Sequence, residues 1–124
     1  MNDPTTICYL AGPYRSGPGG NRRYNIRRAE EYAARLWACG YAVFSPHLNT
    51  AFMDVDAPPE AFLEGDLNMI RALVRGADRF ILALLPYWQT SKGTLAEKKL
   101  AEDMGQTVAD VEALLAEAEG VCRT

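Results

Sequence analysis

The sequence is poor in the residues on which metal and redox sites depend. It contains one histidine and three cysteines, and Cys8, Cys39 and Cys122 do not form a CxxC motif. An odd number of cysteines without such pairing is typical of a reducing compartment and argues against a zinc site. We therefore expect no metal, and we interpret Cys8 and Cys39 as small buried hydrophobic residues.

Long hydrophobic runs and a signal-like N-terminus are also missing. The longest apolar run, FILALLP at residues 80–86, is too short to span a bilayer. The N-terminal MNDPTT is polar and has neither the basic nor the apolar region of a signal peptide. We expect a soluble, cytoplasmic protein with no membrane partner. A chain of 124 residues suits one domain around one core, with residues 6–108 forming its body and 109–124 an acidic helical tail.

Two common nucleotide-binding motifs are absent. The loop GPYRSGPGG at residues 12–20 lacks the GK[ST] ending of a Walker loop, and no GxGxxG follows the first predicted strand. We therefore expect no organic cofactor. A net charge of −3 and the lack of a basic patch interleaved with aromatic residues argue against a nucleic acid polymer as partner.

The charges that are present are unevenly distributed. Five arginines with no acid among them surround the glycine-rich loop: Arg15, Arg22, Arg23, Arg27 and Arg28. Such a cluster is either solvated or suited to a small anionic ligand. Between Glu102 and Glu119 the chain carries six acids and no base, which is typical of a solvated helix face.

Hydrophobic periodicity predicts alternating strands and helices. Strands are expected at 5–12, 41–46 and 79–88, with a short fourth at 105–108. Helices are expected at about 22–38 and 59–75, then after a cap at Thr90 or Ser91, and finally at 109–120, while residues 47–59 read as a loop. Gly40 suits the end of the first helix, whose apolar stripe is Ile26, Ala29, Ala33, Leu36 and Trp37, and the stripe of the last helix is Val111, Leu114 and Leu115. This order predicts an α/β fold, a three-layer flavodoxin- or Rossmann-like parallel sheet with helices on both faces. Ligands of such sheets bind beyond the carboxyl ends of the strands.

Two carboxylates interrupt the apolar stripes of predicted helices. Glu97 falls among Ala96, Leu100, Ala101 and Met104 when residues 93–105 are wound at 3.6 residues per turn. Asp66 lies in the same way between Phe62 and Ile70 on the preceding helix. A buried carboxylate is costly unless it is compensated, so each is either a paired structural charge or a catalytic group. Two such carboxylates at one edge of the sheet favour a catalytic role. Paired carboxylates suit glycosyl chemistry.

Four short motifs resemble the nucleoside 2-deoxyribosyltransferase superfamily, which includes the 2′-deoxynucleoside 5′-monophosphate N-glycosidases. They are YLAGPYR (9–15), GDLNMI (65–70), GADRFIL (76–82) and SKGTLAEKKLA (91–101). The resemblance implies that Glu97 is the nucleophile attacking the sugar C1′, and that Asp66 assists departure of the base or activates the acceptor. It also implies that Tyr9 orients the nucleophile, although a tyrosine packed in the core is an equally good interpretation of that strand position.

The resemblance further implies a binding site for a 5′-phosphate in the first loop. There Gly12 permits close approach of the backbone, and Arg15 and Ser16 bind the phosphate. Ser91 and Gly93 match the serine–glycine step of the family at a helix start, where an anion is held, and Ser91 also suits the helix cap. The long basic loop favours a phosphorylated substrate over a free nucleoside.

Several functional alternatives stay open. We expect hydrolysis of the base–sugar bond of a (2′-deoxy)nucleoside 5′-monophosphate, or exchange of bases by a transferase, or a nucleotide-binding sensor without turnover. KGTLAE (92–97) also resembles part of the PGGxGTxxE motif of lysine-decarboxylase-like nucleotide phosphoribohydrolases, without its paired glycines. The expected partner is a small nucleotide or nucleoside, and the resemblance implies a homo-oligomer, a dimer or larger.

Overall fold

Strands and helices alternate along the chain in the computed structural model, which describes residues 5–17 and 21–122. The elements are β1 (Thr6–Ala11), α1 (Arg22–Ala38), β2 (Ala42–Phe44), α2 (Pro46–Asn49), α3 (Pro59–Gly76), β3 (Arg79–Leu84), α4 (Lys92–Asp103), β4 (Thr107–Asp110) and α5 (Val111–Cys122). Short 3-10 turns at Met53–Val55 and Trp88–Thr90 lie in two of the connections. Most of the predicted polar N-terminus, and residues 18–20 of the glycine-rich loop, lie outside the described residues.

The described strands form one parallel sheet in the order β2-β1-β3-β4. Tyr9 on the central strand β1 pairs in register with Phe44 on β2 and with Leu82 on β3. Consecutive apolar residues in β1 and β3 suit strands that are covered on both faces. The predicted three-layer α/β fold of the flavodoxin or Rossmann type is therefore confirmed.

Each face of the sheet carries its own apolar cluster. On one face Cys8 and Leu10 of β1 pack with α1 and α5, and on the other Tyr9 and Ala11 pack with α3 and α4. This alternation follows from the two-residue period of a strand, which sends neighbouring side chains to opposite faces. The loops that follow β1, β2 and β3 consequently meet at one edge of the sheet, above its carboxyl ends.

The predicted helix signals mark the observed boundaries. Asn21 caps α1 by accepting a hydrogen bond from the Tyr24 amide at 2.8 Å, and Gly40 follows the helix with a φ of +93°. Of the two predicted caps for α4, Ser91 is the one that precedes the helix, and its hydroxyl accepts a hydrogen bond from the Thr94 amide at 3.2 Å. The Asp78 carboxylate accepts a hydrogen bond from the Thr5 amide at 2.8 Å, which joins the turn before β3 to the start of β1.

Two predicted boundaries are wrong. Residues 47–59 are not wholly a loop, since α2 begins at Pro46 after a Ser45 cap, and serine followed by proline is a regular start for a helix. The third strand ends at Leu84 instead of extending to residue 88. Pro86 lacks the backbone N–H that a continued strand needs, and Tyr87 adopts a left-handed φ of +65°.

The apolar stripe of α1 differs from the predicted one. Asn25 and Tyr32 are buried with Ala29, Ala33 and Leu36, whereas Trp37, which the periodicity placed on this stripe, is 57% exposed. The helix is rotated because its buried face must pack on β1 and α5. Tertiary packing has overridden the simplest count of hydrophobic residues.

The acidic C-terminal segment is part of the core. Val111 and Leu115 of α5 are fully buried, as their predicted stripe required. Two of its acids pair with α1, since Arg35 binds Glu119 through two hydrogen bonds and the Tyr32 hydroxyl donates to Glu112. Glu112 is nevertheless exposed and Glu119 is only partly buried, so these acids lie on a solvated face and also join α5 to α1.

The cysteines fit their interpretation in part. Cys8 is fully buried, and burial raises the pKa of its thiol to about 12, so the thiol is not a nucleophile at neutral pH. Cys39 is only half-buried, at the end of α1, and the Cys122 side chain lies outside the described residues. None of the helices in the described part of the chain is both long and apolar enough to cross a membrane.

Candidate functional site

A cavity of about 360 Å³ lies at the carboxyl edge of the sheet. Volumes of this size are typical of sites for small molecules. Its walls come from the end of β1, the loop after it, α2 with the turn that follows, the first half of α3 and the start of α4. Seven predicted site residues line it: Gly12, Arg15, Ser16, Asp66, Ser91, Gly93 and Glu97.

Glu97 is buried in the wall of this cavity, 7% exposed. It lies in the second turn of α4, on the side that packs towards the sheet. The Tyr9 hydroxyl donates a hydrogen bond to its Oε2 atom. Tyr9 itself is fully buried and stacks on Phe44, with ring centroids 5.4 Å apart, so its position is fixed by the core. Tyr9 is therefore packed in the core, as the second interpretation has it, and its hydroxyl also reaches Glu97; its role in orienting a nucleophile stays a prediction.

The setting of Glu97 disfavours its ionised form. Burial, joined by the charge of Asp66, raises the pKa of Glu97 to about 8, although the hydrogen bond from Tyr9 acts in the opposite direction. The neutral form therefore predominates at pH 7 in the empty cavity. A carboxyl with such a pKa is typical of functional sites.

Asp66 faces the same cavity from the second turn of α3. It is half-buried, and burial raises its pKa to about 6. Within residues 5–17 and 21–122, neither Asp66 nor Glu97 forms an ion pair with a lysine, an arginine or the histidine. A structural pair would have compensated these charges, so the arrangement leaves two carboxyl groups available to a ligand.

Gly12 has a packing role as well as a place in the cavity wall. A Cβ atom built on it would lie 2.5 Å from Leu85 Cβ, which is too close for any side chain. The first loop is then fixed to α1 by Asn25, whose side-chain amide donates to the carbonyl oxygens of Tyr14 and Ser16 at 2.8 and 3.0 Å. The Ser16 hydroxyl lies 3.0 Å from the Thr90 hydroxyl, which joins this loop to the loop before α4.

Arg15 is engaged by a carboxylate that the sequence did not single out. Asp54, which also lines the cavity, binds Arg15 and accepts two hydrogen bonds from Arg22 at 2.7 Å. The two arginines, Arg22 first, lower the pKa of Asp54. The segment around it is further held by Phe52, whose amide donates to the Tyr14 hydroxyl and whose φ is +62°. Asp54 thus binds the guanidinium groups of Arg15 and Arg22, which are also suited to binding a phosphate.

The remaining arginines of the basic cluster do not converge on the cavity. Arg27 pairs with Glu30 and Glu31 on the exposed face of α1, and the Arg28 guanidinium lies over Tyr24 and Tyr32. The cluster therefore divides into Arg15 and Arg22, which share Asp54, and arginines that pair or stack along α1, while an anionic ligand for the first two stays a prediction.

Ser91 and Gly93 bring the start of α4 to the cavity. The Ser91 hydroxyl caps the helix by accepting from the Thr94 amide. A Cβ atom on Gly93 would be in ordinary contact with Leu63 Cδ1 at 3.7 Å and Ser91 Oγ at 3.9 Å. The helix N-terminus carries a partial positive charge that an anion can use.

Two cavity-lining residues that the sequence did not place in the site hold polar atoms without partners. Among the described residues, the only buried side-chain nitrogen or oxygen atoms that lack a hydrogen bond are His47 Nδ1 and Thr94 Oγ1, and both residues line this cavity. His47 Nε2 lies 2.7 Å from the Pro13 carbonyl oxygen, which can only accept, so Nε2 carries the proton. Burial lowers the pKa of His47, which leaves Nδ1 as an acceptor. A ligand is the natural partner of such atoms.

Two further aromatic residues, Tyr87 and Trp88, follow β3. Trp88 packs against the α3 and α4 cluster, and Tyr87 is 52% exposed. Neither residue lines the cavity. Across the portions of the chain that are described, no three His, Cys, Asp or Glu residues are grouped to hold a metal ion.

Comparisons with known proteins assign the chain to a family without assigning an activity. A search of curated proteins found no match. The resemblance to the nucleoside 2-deoxyribosyltransferase superfamily is not confirmed by these comparisons. A family model described as "Domain of unknown function (DUF4406)" matches residues 6–110, which is most of the chain, and the protein belongs to that family.

Proposed function

We propose that this protein is an N-glycosidase that cleaves the base–sugar bond of nucleoside 5′-monophosphates through a glycosyl ester on Glu97. One observation carries the proposal. Glu97 and Asp66 come from different helices, have no ion-pair partner in the described residues, and line one cavity of about 360 Å³. The resemblance of the surrounding motifs to the nucleoside 2-deoxyribosyltransferase superfamily supports a nucleotide as the substrate.

The first step forms the ester. An oxygen of the Glu97 carboxylate attacks C1′ of the sugar, the C1′–N bond breaks, and its electron pair leaves with the base. Asp66 in its acid form donates a proton to the departing base. Glu97 lies where its negative charge offsets the positive charge that develops at C1′. The hydrogen bond from Tyr9 holds one carboxylate oxygen and directs the other.

The second step releases the sugar phosphate. A water molecule attacks C1′, the ester C–O bond breaks, and Glu97 is again a carboxylate. Asp66, ionised after the first step, accepts the proton of that water. In a transferase a second base would take the place of water.

The protonation states needed for this chemistry belong to the two carboxyl groups as a pair. The productive form holds one proton, on Asp66, with Glu97 ionised. Burial favours the neutral form of both groups, and the charge of Asp66 also opposes ionisation of Glu97. The Tyr9 hydrogen bond favours the ionised form of Glu97, so it stabilises the productive arrangement.

Phosphate binding is assigned to the rim of the cavity. Arg15 offers a planar fork of donors, the Gly12 turn brings the backbone near, and the start of α4 at Ser91 and Gly93 adds a helix N-terminus. His47 Nδ1 then accepts a hydrogen bond from a hydroxyl or N–H group of the nucleotide. This use of His47 accounts for a buried acceptor that the protein leaves unpaired.

Incubation with ribo- and 2′-deoxyribonucleoside 5′-monophosphates and the corresponding nucleosides, followed by chromatography, tests the proposal. We expect free base from monophosphates, and none from Glu97→Gln. Glu102→Gln is the matched control, since Glu102 is an exposed acid on the same helix that pairs with Lys98. If wild type releases no base while a nucleotide still raises its Tm, the alternative of a binding module is correct. A second base added to the reaction reveals transfer as a new nucleotide.

A further inference from the structure

Thr94 presents a hydroxyl group that the protein itself does not use. The residue is 1% exposed, and its Oγ1 has no hydrogen-bond partner among the described residues. Threonines inside helices usually bind a carbonyl oxygen of the preceding turn, and that bond is not made here. Only the Thr94 amide is engaged, by the Ser91 cap. A buried polar atom without a partner destabilises the fold. A ligand that supplies the missing hydrogen bond would account for its presence.

The position of this hydroxyl points to the sugar. Thr94 lies three residues before Glu97 on α4, and both residues line the cavity. Side chains of a helix lean towards its N-terminus, so the Glu97 carboxyl group extends back over the turn that carries Thr94. A group bound by Glu97 therefore also lies near Thr94.

The chemistry of the reaction defines which part of the nucleotide this is. Glu97 attacks C1′ from the face of the sugar opposite to the base. The 2′- and 3′-hydroxyls of ribose lie on that same face. The base leaves on the other side. The phosphate, which is assigned to Arg15 and to the start of α4, is joined to the sugar through C5′, on the same face as the base. The sugar hydroxyls are therefore the groups that share the face of Glu97.

We propose that Thr94 Oγ1 binds a sugar hydroxyl on the face that Glu97 attacks, and that Thr94 thereby selects the sugar of the substrate. The inference rests on the proposed function. Hydrogen bonds to a sugar hydroxyl next to the reacting carbon are known to strengthen in glycosyl transition states. A site built to bind a hydroxyl also discriminates against an analogue that lacks it, because its own polar atom is then left unpaired.

The test compares substrates and variants together. For a base that wild type releases, kcat/KM is measured with the ribonucleoside 5′-monophosphate and with its 2′-deoxy and 3′-deoxy analogues. Removal of the bound hydroxyl is expected to lower kcat/KM about tenfold or more in wild type and in Thr94→Ser. In Thr94→Val the same removal is expected to change kcat/KM less than about twofold. The analogue that shows the loss identifies the hydroxyl as 2′ or 3′.

A second measurement separates this role from a structural one. Valine has the shape of threonine without the unpaired oxygen, so Thr94→Val is expected to raise the Tm of the ligand-free protein while it lowers activity on the hydroxyl-bearing substrate. A lower Tm would mean that the hydroxyl supports the fold, and would overturn the inference.

The outcomes distinguish failure of the proposed role of Thr94 from failure of the proposed N-glycosidase function. Base release by wild type, with the same substrate ratios in wild type and Thr94→Val, would overturn the role of Thr94 and leave the N-glycosidase proposal standing. Absence of base release from every nucleotide would overturn the proposed function, and the inference with it.

Discussion

Tyr9 and Glu97, 88 residues apart in the chain, are joined by a hydrogen bond between the centre of the sheet and the wall of the cavity. The tyrosine hydroxyl donates and Glu97 Oε2 accepts. Because Tyr9 packs against Phe44 and Phe80, the bond fixes the direction of the Glu97 carboxyl group and partly offsets the rise in its pKa that burial causes. The core of the fold therefore sets the chemistry of its candidate nucleophile.

Tyr9→Phe removes this hydrogen bond with little change in packing. Loss of the donor raises the pKa of Glu97 further, so less carboxylate is present at neutral pH. We expect kcat/KM for base release to fall about 10- to 100-fold at pH 7, since hydrogen bonds to charged groups are worth about 1.5–3 kcal/mol. The deficit should shrink as the pH rises. Tyr87→Phe, at an exposed tyrosine outside the cavity, is the control, and an equal loss in both variants would rule out the role of Tyr9.

The pH dependence of kcat/KM should follow the carboxyl pair. With pKa values of about 6 for Asp66 and about 8 for Glu97, the one-proton form prevails between these values and holds its proton mainly on Glu97. The productive arrangement, with the proton on Asp66, is a minor part of this form and follows the same pH dependence, so a bell-shaped profile is expected. Below the bell no nucleophile is ionised, and above it no acid remains. Asp66→Asn should lower the rate about 10²- to 10⁴-fold and abolish the alkaline decline.

The matched control for Asp66→Asn is Glu64→Gln, at an exposed acid on the same helix. This variant should keep the bell-shaped profile. An alkaline decline that persists in Asp66→Asn would show that another group supplies the proton.

The buried position of Glu97 should also make stability depend on pH. Its folded pKa of about 8 lies above the ordinary value of 4.5, so the folded state binds more protons than the unfolded state between these values. Its contribution to stability is therefore complete below pH 4.5 and is lost as the pH rises through about 8. Glu97→Gln lacks this ionisation, and its Tm advantage over wild type should grow from pH 5 to pH 8. Thermal unfolding over this range, with Glu102→Gln as control, measures it, and a constant difference would contradict the buried neutral state.

Asp54 should compete with the phosphate of the substrate. It binds Arg15 and Arg22 at the cavity rim, so a phosphate must displace or share these cations. In a Glu97→Gln background, which prevents turnover, Asp54→Asn is expected to lower the Kd of a nucleoside 5′-monophosphate about tenfold, with a steeper dependence on salt. Asp56→Asn, at an exposed neighbour, is the control. Weaker binding by Asp54→Asn would mean that Asp54 positions the arginines instead.

The fold could be predicted from the sequence because its signals are local. Alternating apolar runs and helical stripes, the Ser91 cap and the Gly40 turn each depend on a few neighbouring residues. The failures arise where tertiary contacts decide. Trp37 is exposed because packing against α5 rotates α1, and the third strand stops before Pro86. The start of α2 was readable from Ser45 and Pro46 and was missed.

The candidate site residues could be predicted where a polar side chain occupies a position that the helical pattern reserves for an apolar one. Asp66 and Glu97 stood out because a carboxylate on an apolar stripe contradicts its pattern. Asp54 and His47 lie in a segment without a periodic pattern, so neither residue stands out in the sequence. Their contacts with Arg15 and Pro13 form only when the loops after β1 and β2 come together in the fold. Thr94 is unremarkable in sequence, since a threonine in the first turn of a helix is common. Its lack of a partner is a property of the three-dimensional structure alone.

The covalent ester on Glu97 is the central claim, and mass spectrometry of the quenched reaction tests it most directly. Wild type is mixed with a cleaved nucleoside 5′-monophosphate and acid-quenched during turnover. We expect a protein heavier by one sugar phosphate less one water, with the added mass on the peptide that contains Glu97 and none in Glu97→Gln. Base release by Glu97→Gln at the wild-type rate, or an adduct on another residue, would contradict the mechanism.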